Sequence, residues 1–236
     1  LKKKAKGKAV RLVQEWLCLH GFHLAADGDF GPATEYAVKQ FQKKKKLKAD
    51  GIVDQGNFEQ SILPMTIALK PIEPGRRTPG QLVIAYAKQH LKQHPVEIGG
   101  QNKGPWVRLY MKGNQGPEWP WCAGFVSFIL TQAYGSLNMP LPINTSFSCD
   151  ILAANAKEKE RFLAESQIQE KTRIKAGSIF LNRRVTNDWV HTGIVLKAEE
   201  EFFHTIEGNT NDEGSREGYE VCQRFRGYKK KDFIMI

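Results

Sequence analysis

The chain is expected to fold as an α+β protein in which a small helical module precedes a larger domain of helices and antiparallel strands. Three observations carry that expectation. Apolar residues recur at helical spacing through residues 10–17 and 33–42. A segment rich in turn and linker residues follows at 63–79, with Pro64, Pro71, Pro74, Gly75 and Pro79. Beyond it helical stretches come first and strand-like runs later, the order of an α+β domain.

Each element has its own warrant. Val10, Val13 and Leu17 share one face of a helix that ends at Gly21. Pro32 suits the first turn of a second helix, which closes on Phe41-Gln42. Asp27-Gly28 and Asp50-Gly51 are turn signals, and beyond these two turns no internal repeat is evident. Phe30, Ala37, Phe41, Leu47 and Val53 are the expected small core. An EF-hand is excluded, because the twelfth position counted from Asp27 is Val38 rather than Glu. Residues 1–62 thus form the helical module, 63–79 an extended Pro-rich linker and 80–236 the larger domain. That domain should hold a helix from Gln81 towards Leu91, a second from Cys122 to Tyr134 and a third near Ile151 to Ala156. Strands are expected near Ser178–Leu181, Thr192–Lys197, Phe202–Ile206, Glu220–Phe225 and Phe233–Ile236.

Composition bounds the function. The chain has 236 residues, 41% of them hydrophobic, which supports packed cores and argues against disorder. No apolar run reaches the length of a membrane span. The net charge of +10 is concentrated in Lys43–Lys46 and the Lys2–Lys8 cluster. No aromatic-interleaved motif accompanies these lysines, so no nucleic-acid partner is expected. They read as a solvated helix end and a basic tail, suited to anionic polymers. Cys18, Cys122, Cys149 and Cys222 form no obligatory disulfide set, and Cys18 and Cys149 read as core thiols. The basic start is not followed by an uninterrupted apolar region, so no signal peptide is read, and Leu1 suggests a trimmed N-terminus. The chain is expected to act as a monomer, made in the cytoplasm and then released or exported.

The chemistry gathers around Cys122. Trp119-Pro120-Trp121 leads straight into Cys122 and the apolar helix led by Val126, Ile129, Leu130 and Ala133. A thiol attacks a carbonyl as thiolate, and a helix N-terminus and a nearby imidazolium both favour the anion. His191, at the expected start of a strand, is the candidate base. Glu207, at the expected end of the next strand, is the candidate orienting group, since an antiparallel hairpin brings such ends together. The Asn209 amide either supports the imidazole or an oxyanion, or serves a turn. The backbone N–H of Cys122 is the expected main oxyanion donor. No metal-ligand cluster and no cofactor motif are found.

Trp121-Cys122-Ala123, His191-Thr192-Gly193-Ile194-Val195 and Thr205-Ile206-Glu207-Gly208-Asn209 resemble the CHAP family, the cysteine- and histidine-dependent amidohydrolases/peptidases. The segments Glu97–Asn102 and Pro105–Tyr110 add to a likeness that covers about residues 80–236. The resemblance implies a papain-like fold with Cys122 as nucleophile, His191 as base, Glu207 as orienter and Asn209 assisting. Trp119, Trp121 and Gln115 are the expected substrate contacts, although a plain loop role is favoured for Gln115. Some members carry a calcium-binding acidic loop before the cysteine. Here residues 112–118 hold Glu118 as the single acid, so calcium is not carried over. Asp27-Gly28-Asp29-Phe30-Gly31-Pro32, the helix ending Phe41-Gln42, and Leu47–Ile62 resemble the small three-helix peptidoglycan-binding domain. That likeness implies that Asp27, Asp29 and Phe30 lie where cell-wall saccharide or stem peptide is held. Together the two resemblances imply a modular peptidoglycan hydrolase of the endolysin or autolysin kind, cutting a sugar-to-alanine amide or a stem or cross-bridge peptide bond. An interbacterial toxin with the same chemistry, and a non-catalytic wall-binding scaffold, are the alternatives.

Overall fold

The computed structural model describes residues 1–168, 174–211 and 218–236. Among them the chain forms helices α1 (Lys8–Leu19), α2 (Pro32–Lys44), α3 (Gln55–Ala68), α4 (Pro79–Leu91), α5 (Pro105–Tyr110), α6 (Cys122–Ser136) and α7 (Cys149–Glu158). Strands follow: β1 (Phe162–Leu163), β2 (Ile179–Val185), β3 (Asp188–Ala198), β4 (Phe202–Thr210), β5 (Glu220–Gly227) and β6 (Lys231–Ile234). They make one sheet in the order β1-β6-β2-β3-β4-β5, antiparallel throughout. The α+β expectation therefore holds, with helices ahead of an antiparallel sheet.

In the small module α1–α3 enclose Val10, Val13, Leu17, Phe30, Val38 and Phe41. Leu47 stays half-buried outside that core. The two Asp-Gly turns prove to be one device used twice. Gln14, on α1, donates Nε2 to Asp27 Oδ1 (2.9 Å) and accepts from the Gly28 N–H (2.8 Å). Gln42, on α2, donates to Asp50 Oδ1 (3.0 Å) and accepts from the Gly51 N–H (2.9 Å). Each glutamine is buried with its amide satisfied, as burial of a polar group requires. The repeat thus extends from the turns into the helices that hold them.

The expected extended linker is helical in its first part, while residues 69–78 lie in neither helix nor strand. Residues 63–68 continue α3, with Pro64 inside it. A proline there forfeits one ladder hydrogen bond, but packing of α3 on α4 retains the helix. Ala68 is fully buried, and Gln89 of α4 donates to the carbonyls of Ala68 (3.0 Å) and Lys70 (2.8 Å). The modules share further contacts. Trp16 of α1 meets Trp106 of α5 edge-on at 6.2 Å, and Arg108 holds the buried Glu15 carboxylate through two nitrogens, at 3.3 and 2.5 Å. One apolar core accordingly runs from Trp16 and Ala68 through α4 and α6 to the sheet.

The sheet has two apolar faces, as alternation along its strands requires. Ile179, Leu181, Ile194, Ile206 and Ile234 pack with the helices. Phe180, Val195, Phe203 and Phe233 form a second cluster. Gly208 lets β4 meet the start of α6, because a Cβ there would stand 2.8 Å from both Phe125 and Trp121. That approach sets the thiol-bearing end of α6 against β4.

Candidate active site

Cys122 is the first residue of α6, with Trp121 as its N-cap. The unpaired N–H groups of a first helical turn carry partial positive charge, which favours a thiolate there. Fully buried Ala123, Val126, Ile129, Leu130 and Ala133 anchor the helix. Cys122 opens onto a cleft of about 590 Å³ lined also by Trp119, Phe147, Cys149, Asp150 and Trp189.

His191 and Glu207 stand behind the thiol, both buried. His191 Nε2 lies 2.7 Å from Glu207 Oε2. Both residues sit inside their strands rather than at the expected ends, since β3 begins at Asp188 and β4 runs on to Thr210. Gly193 makes the meeting possible: a Cβ there would stand 2.6 Å from Glu207 Cγ. Thr205 Oγ1 donates to Glu207 Oε1 at 2.6 Å. Arg226, on β5, donates Nε to Oε1 (2.8 Å) and Nη2 to Oε2 (2.6 Å).

The electrostatics follow from these contacts. Around Cys122 the Cys149 thiol, 3.9 Å away, lowers the pKa most. Burial opposes it, and His191 with the Ala123 N–H adds to it, so the thiol ends well below its ordinary range. Burial alone would depress His191, but Cys122 and Glu207 outweigh it and raise the imidazole to about 9. Burial likewise pushes Glu207 up, and Arg226 and His191 outweigh it, leaving about 2. These directions favour the thiolate form of Cys122 and the imidazolium form of His191, with an ionised Glu207 beside them. His191 Nδ1 has no aligned hydrogen-bond partner among the described residues, while Nε2 is committed to Glu207. Nδ1 is thus the nitrogen left for proton transfer.

The other expected site residues fare differently. Trp119 lines the cleft, against Phe147 at 6.3 Å. Trp121 is fully buried and donates Nε1 to Glu97 Oε1 at 2.8 Å, so it supports α6 and offers no surface to a substrate. Gln115 accepts from Arg108 (2.8 Å) and the Gly104 N–H (3.1 Å), away from the thiol and beside the contact between modules. Asn209 is buried with a left-handed backbone (φ 55°) at an irregularity between β4 and β5. Its Oδ1 has no hydrogen-bond partner among the described residues. Asp27 holds its own turn by accepting from the Asp29 N–H at 2.8 Å. Asp29 is exposed and pairs with Lys6 at 3.0 Å, and Phe30 is fully buried in the module core. Phe30 therefore has no face to present to a wall ligand.

Two residues of the site escaped sequence reading. Arg226 looks like any outward basic residue of an edge strand. Cys149 reads as a core thiol, yet it shares the cleft with Cys122. A signal for it exists: Ser148 N-caps α7, accepting from the Ile151 N–H at 3.4 Å, so Cys149 is a second thiol at the first position of a helix.

The chain is similar, at 41% identity over 63 residues, to the zinc D-Ala-D-Ala carboxypeptidase of Streptomyces albus G, and the match covers 25% of each. The chain thus spans about a quarter of that relative's length. Among the described residues no group of three or more His, Cys, Asp or Glu side chains is gathered as a metal-ion site. No described helix is long and apolar enough to cross a membrane. Residues 6–59, within the helical module of α1–α3, match the family described as "Putative peptidoglycan binding domain".

Proposed function

We propose that this protein hydrolyses an amide bond of peptidoglycan by thiol catalysis, in the manner of the CHAP family. One observation carries the reading: a helix-start thiol at a cleft, coupled to a buried His191 whose other nitrogen is 2.7 Å from an ionised Glu207. The module at 6–59 supplies the polymer. Holding the enzyme on its substrate raises the local concentration of scissile bonds without new catalytic contacts.

In this reading the Cys122 thiolate attacks the carbonyl carbon, and the oxyanion forms against the N-terminus of α6, where the Cys122 N–H is a donor. The His191 imidazolium gives its Nδ1 proton to the leaving nitrogen, the C–N bond breaks and a thioester remains. Neutral His191 then takes a proton from water, hydroxide adds to the thioester, and the carboxylic acid leaves as the thiolate is restored. Glu207 keeps the ring oriented and stabilises its cationic form. The zinc chemistry named for the Streptomyces relative is not used.

Mass spectrometry of purified peptidoglycan digested by the protein tests the proposal. New amine and carboxyl ends that appear with wild type and vanish with Cys122→Ala are expected. Undigested polymer, or equal digestion by Cys122→Ala, overturns it.

A further inference from the structure

The Cys122 and Cys149 sulfurs lie 3.9 Å apart, each on the first residue of its helix and each lining the same cleft. The other two cysteines do not join them. Cys18 belongs to α1 and donates to the Leu24 carbonyl at 3.2 Å, and Cys222 is on β5, opposite Glu207. A disulfide needs its sulfurs at about 2.05 Å, so an approach of roughly 2 Å between two helix ends separates the dithiol from a bond. The cleft admits a small oxidant to both sulfurs. Two polarised thiols in contact are more than hydrolysis demands, since one sulfur suffices as nucleophile.

We propose that Cys122 and Cys149 form a peroxide-responsive dithiol, closing to a reversible disulfide. The Cys122 thiolate attacks one oxygen of hydrogen peroxide. The O–O bond breaks, Cys122 becomes a sulfenic acid, and the departing hydroxide takes a proton to become water. The Cys149 sulfur then attacks the Cys122 sulfur. The S–S bond forms, the S–O bond breaks, and the second hydroxide leaves as water with the Cys149 proton. The two sulfurs lose two electrons and peroxide gains them. A dithiol reductant reverses the step by exchange. The consequence for hydrolysis rests on the proposed nucleophilic role of Cys122: the oxidised protein has no thiolate, while Cys149 spares Cys122 from irreversible oxidation.

The sequence offers a direct test. No Lys or Arg lies between Lys112 and Lys157, so one tryptic peptide, residues 113–157, holds both cysteines and neither of the others. Wild-type protein treated with stoichiometric peroxide should yield this peptide about 2 Da lighter, the two hydrogens lost, and resistant to alkylation. Dithiothreitol should restore the mass and at least tenfold more hydrolytic activity than it restores to treated Cys149→Ser. In Cys149→Ser treated with two or more equivalents of peroxide, which sulfinic acid requires, the same peptide should gain about 32 Da and stay inactive. A wild-type peptide that gains oxygen without losing 2 Da overturns the proposal, as does equal recovery of the Ser variant. The mass shift requires no substrate, so it decides the disulfide even if the reduced protein cleaves no peptidoglycan.

Discussion

Arg226 grips Glu207 with two parallel hydrogen bonds, Nε to Oε1 at 2.8 Å and Nη2 to Oε2 at 2.6 Å, while His191 approaches Oε2 from the other side. One buried carboxylate therefore serves two cations. The arginine fixes the carboxylate plane, since a guanidinium fork matches it in a way an ammonium does not. It also competes with the imidazolium for the same negative charge.

Replacing Arg226 with Met should act on both counts. Loss of a fixed carboxylate is expected to lower kcat about 10–100-fold, as removal of a supporting partner does. With one cation gone from beside the ring, His191 should titrate above its present value of about 9, and Glu207 above about 2. The high-pH limb of kcat/KM should move up, and Arg226→Lys should recover only part of kcat. An unchanged pH profile would remove Arg226 from the positioning of the site.

The wild-type pH profile has a defined sign. The His191 proton is present below about 9 and lost above it, so hydrolysis should fall as pH rises through about 9. The acid limb reflects protonation of the Cys122 thiolate and should lie below the ordinary thiol range. Initial rates on soluble muropeptides across pH measure both limbs. A falling limb near 6.5, the ordinary histidine value, would contradict the coupled pair.

Cys122→Ala should abolish hydrolysis and leave adsorption to purified walls intact, because the family-matched module lies at residues 6–59. Cys18→Ala and Cys222→Ala should keep activity. Pull-down with insoluble peptidoglycan, read beside turbidity loss, separates the two functions, and cleavage by the alanine variant at a sizeable fraction of the wild-type rate refutes a thiol mechanism.

Gly193→Ala should damage the site without touching a reacting group. Its Cβ would stand 2.6 Å from Glu207 Cγ and 2.8 Å from Phe180 Cε1, so the carboxylate must move. A loss of about 1–3 kcal/mol in stability is expected from overpacking. The kcat loss should be larger than a stability change of that size explains when measured well below the melting temperature. Near wild-type kcat in a folded Gly193→Ala protein would show that Glu207 tolerates displacement.

The continuous core from Trp16 to the sheet predicts a single thermal unfolding transition for the whole chain. Arg108→Ala, which leaves the buried Glu15 carboxylate to the longer Arg11 ion pair at 3.6 Å, should lower the melting temperature by several degrees. Two separate transitions by calorimetry would mean that the modules are energetically independent. Truncation near Gly80, which an extended linker would have made harmless, should instead expose Trp106 and the α4 face that Gln89 ties to Ala68 and Lys70.

Much of this protein is local, and the sequence alone determines it. Helical spacing, Pro32 and the Asp-Gly turns define the small module, and the apolar run after Trp121 defines α6 with its thiol at the first position. The antiparallel β3–β4 pair puts His191 and Glu207 in reach by register. The rest depends on non-local contacts, for which spacing carries no information. A proline-bearing segment reads as a spacer until α4 is seen to hold it as helix. Trp121 and Phe30 read as ligand contacts until packing consumes their whole surface. Arg226 and Cys149 read as an edge-strand cation and a core thiol. Only the closing of β5 on β4, and of the α7 start on the α6 start, brings their charge and sulfur to the reacting group. Local conformation follows from short-range backbone and periodicity rules, but the neighbours that set the pKa of Cys122 and Glu207 arrive from 27 and 19 residues away respectively, by folding alone.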